Sequence, residues 1–211
     1  MHIPNNNKIY KKYNLIGFLT TSNIEIIDIL KAWIAVSIAF GIVLGGISKA
    51  FPKYFLISSI AVGLGFLLHE LSHKLVAQYY KFKAEFRSFD EMLFLAIIMS
   101  FLGFVIAAPG AVMIQTMNAD NRKSGLISVA GPVMNIILAL IFLGIFYISS
   151  GFINELANYG FRINAWLALF NMIPFWMFDG AKIFRWNKFI WVLVALSAGF
   201  FVFGINTTAL F

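Results

Sequence analysis

The sequence predicts an all-α polytopic membrane protein. Hydrophobic residues make up 61% of the 211 residues and charged residues only 12%, whereas soluble domains are usually about 45–50% apolar. The mean hydropathy is +0.86, and the apolar residues fall in runs comparable to the ~20 residues that one bilayer crossing requires. We therefore expect about five transmembrane helices, with six as the alternative, in a single membrane-embedded domain (1–211) without a soluble regulatory domain.

The N-terminal part of the chain predicts a polar lead-in and two apolar helices. Residues 1–30 form the lead-in, because they contain lysines but no apolar core followed by a small-residue cleavage site. Ser22 is the predicted N-cap of a short amphipathic segment. The first apolar helix is expected over about 32–48 and the second over about 54–80.

The middle of the chain contains an apolar stretch, 91–108, with Gly103 inside it. Pro109 and Gly110 then break the pattern, and the next four residues favour an extended strand. A polar loop follows. The sequence therefore predicts one short β segment between the second long helix and the third.

Three further helices are expected in the C-terminal part. The first covers about 126–150 and should be kinked at Pro132. The next begins near Glu155 and must stop before Pro174, because proline disfavours helical geometry in the residue that precedes it. The last covers about 189–205.

Charge and cysteine content restrict the chemistry. The net charge of +7 does not predict a nucleic-acid partner, because basic residues in a chain of this composition concentrate in cytoplasmic loops. The chain contains no Cys, so disulfides and thiolate metal sites are excluded. A metal ion would need His, Asp, Glu or Asn ligands.

One motif carries a chemical signal. His69 and His73 are four residues apart on a predicted helix, so both imidazoles face the same side and can bind one metal ion. Glu70 lies beside them, where its carboxylate can take a proton from a water molecule at the metal. With three His and five Glu in 211 residues, only about 0.001 chance matches to this spacing are expected.

Two imidazoles do not complete a catalytic zinc site, which usually has three protein ligands. Seven carboxylates fall in or near predicted loops or helix ends, where we expect them to be solvated: Glu25, Asp28, Glu85, Asp90, Glu91, Asp120 and Glu155. Asp179 differs, because it follows a proline-broken helix among aromatic residues. Irregular backbone at membrane depth persists only when it is buried in protein or lines a wet cavity, so this segment is expected to pack near the two histidines.

Three motifs together resemble the site-2 protease family of intramembrane zinc metalloproteases, peptidase family M50. They are the His-Glu-x-x-His sequence, a Gly-Pro-x-x-Asn sequence that ends at Asn135, and an Asn-x-x-Pro-x-x-x-x-Asp-Gly sequence that runs from Asn171 to Gly180. The resemblance covers about residues 54–188. Ala181 stands where many members have a second glycine, and the stretch 91–108 is longer than in the simplest members.

The resemblance implies one Zn²⁺ per chain, held by His69, His73 and Asp179, with Glu70 as the general base. It also implies that Asn135 and Asn171 are polar positions near the active site. Extended substrate would contact the β segment, whose candidate residues are Gly110, Ala111, Val112 and Met113.

The implied function is hydrolysis of peptide bonds in or near the transmembrane helices of membrane-protein substrates. The alternative is a non-catalytic membrane protein that binds metal, either a pseudoprotease or a transporter. Membrane lipid is the other expected partner, and the sequence leaves the oligomeric state open.

The membrane topology follows from the requirement that the three ligands share one depth. A full crossing by 91–108 would put Asp179 on the wrong side, so we expect a re-entrant hairpin turning near Gly103. With the hairpin, only Lys49, Lys53 and Arg162 face outward, and the positive-inside rule gives a cytoplasmic N-terminus and active-site opening. The basic residues on the cytoplasmic face are then Lys8, Lys11, Lys12, Lys81, Lys83, Arg87, Arg122, Lys123, Lys182, Arg185 and Lys188.

Overall fold

A computed structural model describes residues 11–105, 109–115, 120–175 and 177–205. Most of these residues are helical, as the sequence predicts. The elements are β1 (Lys12–Ile16), β2 (Leu19–Ser22), α1 (Asn23–Gly45), α2 (Phe51–Ser58), α3 (Leu64–Tyr79), β3 (Lys83–Ser88), α4 (Asp90–Ser100), β4 (Gly110–Gln115), α5 (Asn121–Ile148), α6 (Gly151–Asn171), α7 (Asp179–Trp186) and α8 (Lys188–Gly199). Two π-helical turns, Ser59–Gly63 and Phe200–Gly204, extend this set.

Three helices in the described part of the chain are long and apolar enough to cross a membrane. They are α1, the continuous helix Phe51–Tyr79 and α5. The helix Phe51–Tyr79 joins α2 to α3 through the first π-helical turn. The fourth predicted helix corresponds to α6, with 21 residues, and the last corresponds to the shorter apolar helix Lys188–Gly204.

The start of α1 confirms the predicted cap and corrects the predicted boundary. Ser22 Oγ accepts a hydrogen bond from the Glu25 N–H at 3.2 Å, which satisfies a backbone donor of the first turn. The helix begins at Asn23 rather than near residue 32, so the expected amphipathic segment is part of the membrane helix. The lead-in residues before position 11, which include His2 and Lys8, lie outside the described residues.

Two small antiparallel sheets flank the helices. The hairpin β1–β2 turns at Gly17, whose φ is +56°, and the sequence did not predict it. The second sheet pairs β3 with β4, from Lys83 opposite Gln115 to Ser88 opposite Gly110. The predicted β segment is therefore β4, and its partner β3 was missed.

The described residues that flank the stretch 91–108 lie together beside the second sheet. The Phe89 N–H donates to Pro109 O at 3.1 Å, so the chain returns to the same place after the stretch. Between these two residues, α4 has only 11 residues, about 16 Å at 1.5 Å per residue. A turn follows at residues 101–103, where Gly103 has a φ of +85°.

Helices α3, α6 and α7 pack against α5, whereas α1 packs against α2 and α4. Small residues such as Ala139, Ala157 and Ala165 lie in the contact between α5 and α6, beside Phe142 and other aromatic rings, which lets the two helices approach closely. Helix α5 continues through Pro132 as one element. As expected, α6 ends before Pro174. A helix that the sequence did not predict, α7, begins at Asp179.

Candidate metal centre

Two histidines face one another on consecutive turns of α3. His69 and His73 are buried, with 5% and 7% of their surface exposed. Their Nε2 atoms are 3.1 Å apart, as the four-residue spacing on a helix predicts. The structure thus brings two potential ligand atoms to one point inside the protein.

Asp179 reaches the same point from the start of α7. Its Oδ2 lies 3.0 Å from His73 Nε2 and 3.3 Å from His69 Nε2. Gly180 makes this approach possible, because a Cβ at that position would overlap the carbonyl group of Met172. Residues separated by more than 100 positions therefore form one triangle of donor atoms.

The protonation of the two neutral imidazoles follows from their other hydrogen bonds. His73 Nδ1 lies 2.8 Å from Ile127 O, and His69 Nδ1 lies 2.5 Å from Asn135 Oδ1. Both partners are oxygens that accept hydrogen bonds, so in a neutral imidazole the proton is on Nδ1 and the lone pair on Nε2. Each Nε2 then presents its lone pair toward the Asp179 carboxylate.

This donor set fits a divalent metal ion. Two imidazole nitrogens and a carboxylate oxygen, each with a lone pair directed at the same point, are ligands that zinc takes in proteins. The three edges of the triangle measure 3.0, 3.1 and 3.3 Å. Ligands at 2.0–2.1 Å from a tetrahedral zinc ion are about 3.3–3.4 Å apart, so the three atoms are close to three corners of such a tetrahedron.

Glu70 lies beside the triangle and is held by the edge of β4. One ligand atom from each of His69, Glu70 and His73 falls within 4.8 Å of the others, which makes Glu70 a possible third ligand by distance. Asp179 fits better, since its oxygen is within 3.3 Å of both Nε2 atoms. Glu70 Oε2 instead accepts a hydrogen bond from the Val112 N–H at 2.9 Å.

Helix α5 forms the wall behind the two imidazoles. Ile127, Gly131 and Asn135 are four residues apart, so they lie along one side of the helix facing α3. A Cβ on Gly131 would lie 2.5 Å from the Nε2 atoms of His69 and His73. The glycine of the Gly-Pro-x-x-Asn motif therefore leaves the space that the two rings occupy.

The remaining candidates from the sequence fall in different places. Asn135 is fully buried and contacts His69, as described. Asn171 is half-buried, and its Nδ2 donates to Leu167 O at 2.9 Å within its own helix. The candidate strand residues form the first part of β4, which is linked to the site through Glu70.

A buried ion pair that was not predicted from the sequence lies next to the site. Glu25 was expected to be solvated, but its surface is 0% exposed, and it accepts hydrogen bonds at 2.7–2.8 Å from Lys74 Nζ, Thr21 Oγ1 and the Phe86 N–H. Lys74 directly follows His73. Charged residues inside an apolar helix indicate function or pairing. The position of Lys74 within the second apolar helix could therefore have predicted a buried partner.

Comparison with known proteins agrees with this geometry. A family model described as peptidase family M50 matches residues 57–160. A protein named "putative zinc metalloprotease" from Methanocaldococcus jannaschii is 38% identical over 179 residues, which cover 82% of this chain and 89% of that protein. No solved structure gives a significant match.

Proposed function

The chain belongs to peptidase family M50, and from this premise we propose that it is an intramembrane zinc metalloprotease. Its substrates are membrane proteins, which it cleaves in or near their transmembrane helices. The observation that carries the proposal is the triangle formed by His69, His73 and Asp179 beside the Glu70 carboxylate. All four groups belong to a chain with three helices that are apolar enough to cross a bilayer.

The residues that hold the metal are His69, His73 and Asp179, and each chain holds one zinc ion. Zinc at this position supplies Lewis acidity, which polarises a carbonyl group and makes water more acidic. The three protein ligands leave a fourth direction open, as in other catalytic zinc sites. Hydrogen bonds from the two Nδ1 atoms keep both imidazoles oriented toward the metal.

Glu70 is the general base. Its carboxylate is close enough to the ligand atoms to take a proton from the attacking water and to pass it to the leaving amine. The Val112 N–H fixes one carboxylate oxygen at 2.9 Å. The other oxygen is then available for the proton transfer.

The outer edge of β4 binds the substrate in an extended conformation. Phe86 is opposite Val112 in the sheet, and the Phe86 N–H points away from β4 to Glu25. In an antiparallel pair, the two residues of such a non-hydrogen-bonded position both direct their backbone groups outward. The outward backbone groups of Val112 therefore face α3 and Glu70. A substrate strand added at this edge of β4 would be held by backbone hydrogen bonds, which have little sequence preference.

The chain makes five membrane crossings and has a re-entrant hairpin at 91–108. The contact between Phe89 and Pro109 supports the hairpin, because a full span would separate its two ends by the ~30 Å thickness of the hydrocarbon core. The distribution of basic residues supports a multi-pass protein of the cell membrane with its N-terminus and site opening in the cytoplasm.

Replacement of Glu70 by Gln tests the proposal. We expect purified Glu70→Gln protein in lipid vesicles to retain about one zinc ion per chain and to cleave single-span transmembrane peptides at least ~100-fold more slowly, as for other general bases. Glu91→Gln is the matched control, because Glu91 is exposed at the start of α4. Equal cleavage by Glu70→Gln and wild type would contradict a protease and favour a metal-binding protein or transporter.

A further inference from the structure

Two buried asparagines connect a ligand of the metal centre to α6. His69 Nδ1 lies 2.5 Å from Asn135 Oδ1, and Asn135 Nδ2 donates to Asn164 Oδ1 at 2.9 Å. Both asparagines are 0% exposed. Asn164 was not among the candidates from the sequence, although a polar residue in a membrane helix is a signal of function.

The far end of this connection fixes the orientation of Asn164. Its Nδ2 donates to Gly160 O at 2.8 Å and to Ala61 O at 3.0 Å. Backbone carbonyls only accept hydrogen bonds, so the amide nitrogen must face them. The amide oxygen of Asn164 is therefore turned toward Asn135.

The orientation of Asn164 determines that of Asn135. The Asn135 nitrogen faces two acceptors, Asn164 Oδ1 and Gly65 O, so its oxygen faces His69. An oxygen at this position requires the proton of a neutral His69 to be on Nδ1. The Nε2 lone pair is then directed at the metal position.

The local structure leaves space for this arrangement. Ala61 lies in the π-helical turn Ser59–Gly63, where the regular hydrogen-bond pattern of the helix is interrupted. One turn later, a Cβ on Gly65 would lie 2.5 Å from Asn164 Oδ1. An irregular turn and a glycine thus allow Asn164 to reach between the helices.

We infer that Asn164 is a positioning residue for the metal ligand His69 and acts through Asn135. The inference rests on the proposed function, because it requires a metal ion at His69. Loss of an outer hydrogen-bond partner commonly weakens metal binding 10–100-fold. Replacement of Asn164 should raise the zinc Kd about 10-fold, at the low end of this range, since Gly65 O still holds the Asn135 amide.

A double-mutant cycle tests the inference. Zinc Kd values are measured for the purified full chain by competition with a chromophoric chelator, using wild type, Asn164→Leu, Asn135→Leu and the combined variant. If Asn164 acts through Asn135, the combined variant should bind zinc within about twofold of Asn135→Leu alone. Independent effects that multiply in the combined variant would show a separate structural role and overturn the inference.

Asn154→Leu is the matched control. Asn154 is on the same helix and also donates to two backbone carbonyls, Phe146 O and Ser149 O, but it lies in the first turn of α6, ten residues before Asn164. Its zinc Kd should stay within about twofold of wild type, as for a distant site. If Asn164→Leu does not fold, the smaller Asn164→Ala carries the same expectations.

A His69→Ala variant distinguishes a failure of the role inferred for Asn164 from a failure of the proposed metal site. Tight zinc binding by wild type, lost in His69→Ala but unchanged in Asn164→Leu, would overturn only the role of Asn164. Zinc binding that is equally weak in wild type and His69→Ala would instead overturn the proposed metal site.

Discussion

The Glu70 carboxylate accepts a hydrogen bond from the backbone N–H of Val112 at 2.9 Å. This contact joins the helix that carries the two histidines to the outer edge of β4, the edge that is not paired with β3. A substrate strand added to that edge would meet the same N–H group. The position of the proposed base and the position of the substrate backbone are therefore linked.

Replacement of Val112 by Pro tests this link. Proline removes the N–H, so Glu70 loses its anchor and the strand edge loses a donor. We expect cleavage to fall about 100-fold, as for other misplaced catalytic groups, with zinc content unchanged. Val112→Ala keeps the N–H and should remain close to wild type. Equal cleavage rates for the two variants would contradict a role of the Val112 N–H in catalysis.

Replacement of Gly131 by Ala should destroy the metal site. The added Cβ would lie 2.5 Å from the Nε2 atoms of both histidines, which would have to move away from the metal position. Zinc content should fall well below one ion per chain. Gly144→Ala is the matched control on the same helix, because its Cβ would meet nothing within 4 Å. That variant should keep its zinc and gain about 0.5–1 kcal/mol of stability.

The buried pair of Glu25 and Lys74 should stabilise the fold as a unit. Lys74→Met leaves the Glu25 carboxylate buried without its ammonium partner, which should lower the free energy of unfolding by about 3–5 kcal/mol. The combined variant Glu25→Gln with Lys74→Met has no buried charge and should recover at least half of this loss. Unfolding in detergent measures both effects, and an equal loss in the single and combined variants would disprove the pairing.

Introduced cysteines can test the membrane topology, because the chain contains none of its own. Lys83→Cys and Arg122→Cys flank the stretch 91–108, and Lys49→Cys lies in the exposed turn after α1. In intact cells, a membrane-impermeant maleimide should label only Lys49→Cys. Labelling of Lys83→Cys and Arg122→Cys from opposite sides would show that 91–108 is a full span.

The sequence was most informative where one periodicity dominated. The four-residue spacing of His69 and His73 predicted their shared face. Ser22 was correctly predicted as an N-cap, although the apolar helix was expected to begin only near residue 32. The strands β1, β2 and β3 were missed because they have only four to six residues and contain several polar or basic residues, a pattern that is typical of loops. Glu25 was misjudged because its partners, Lys74 and the Phe86 N–H, are distant in sequence and meet only in the folded protein.

Zinc content of the Asp179→Ala variant tests the central claim most directly. Metal analysis of the purified wild type should find about one zinc ion per chain, as in catalytic sites with three protein ligands. Loss of the Asp179 carboxylate leaves only His69 and His73, so the zinc content should fall to near zero after dialysis against a weak chelator. A variant that retained as much zinc as wild type would show that Asp179 does not bind the metal, and the proposed centre would be wrong.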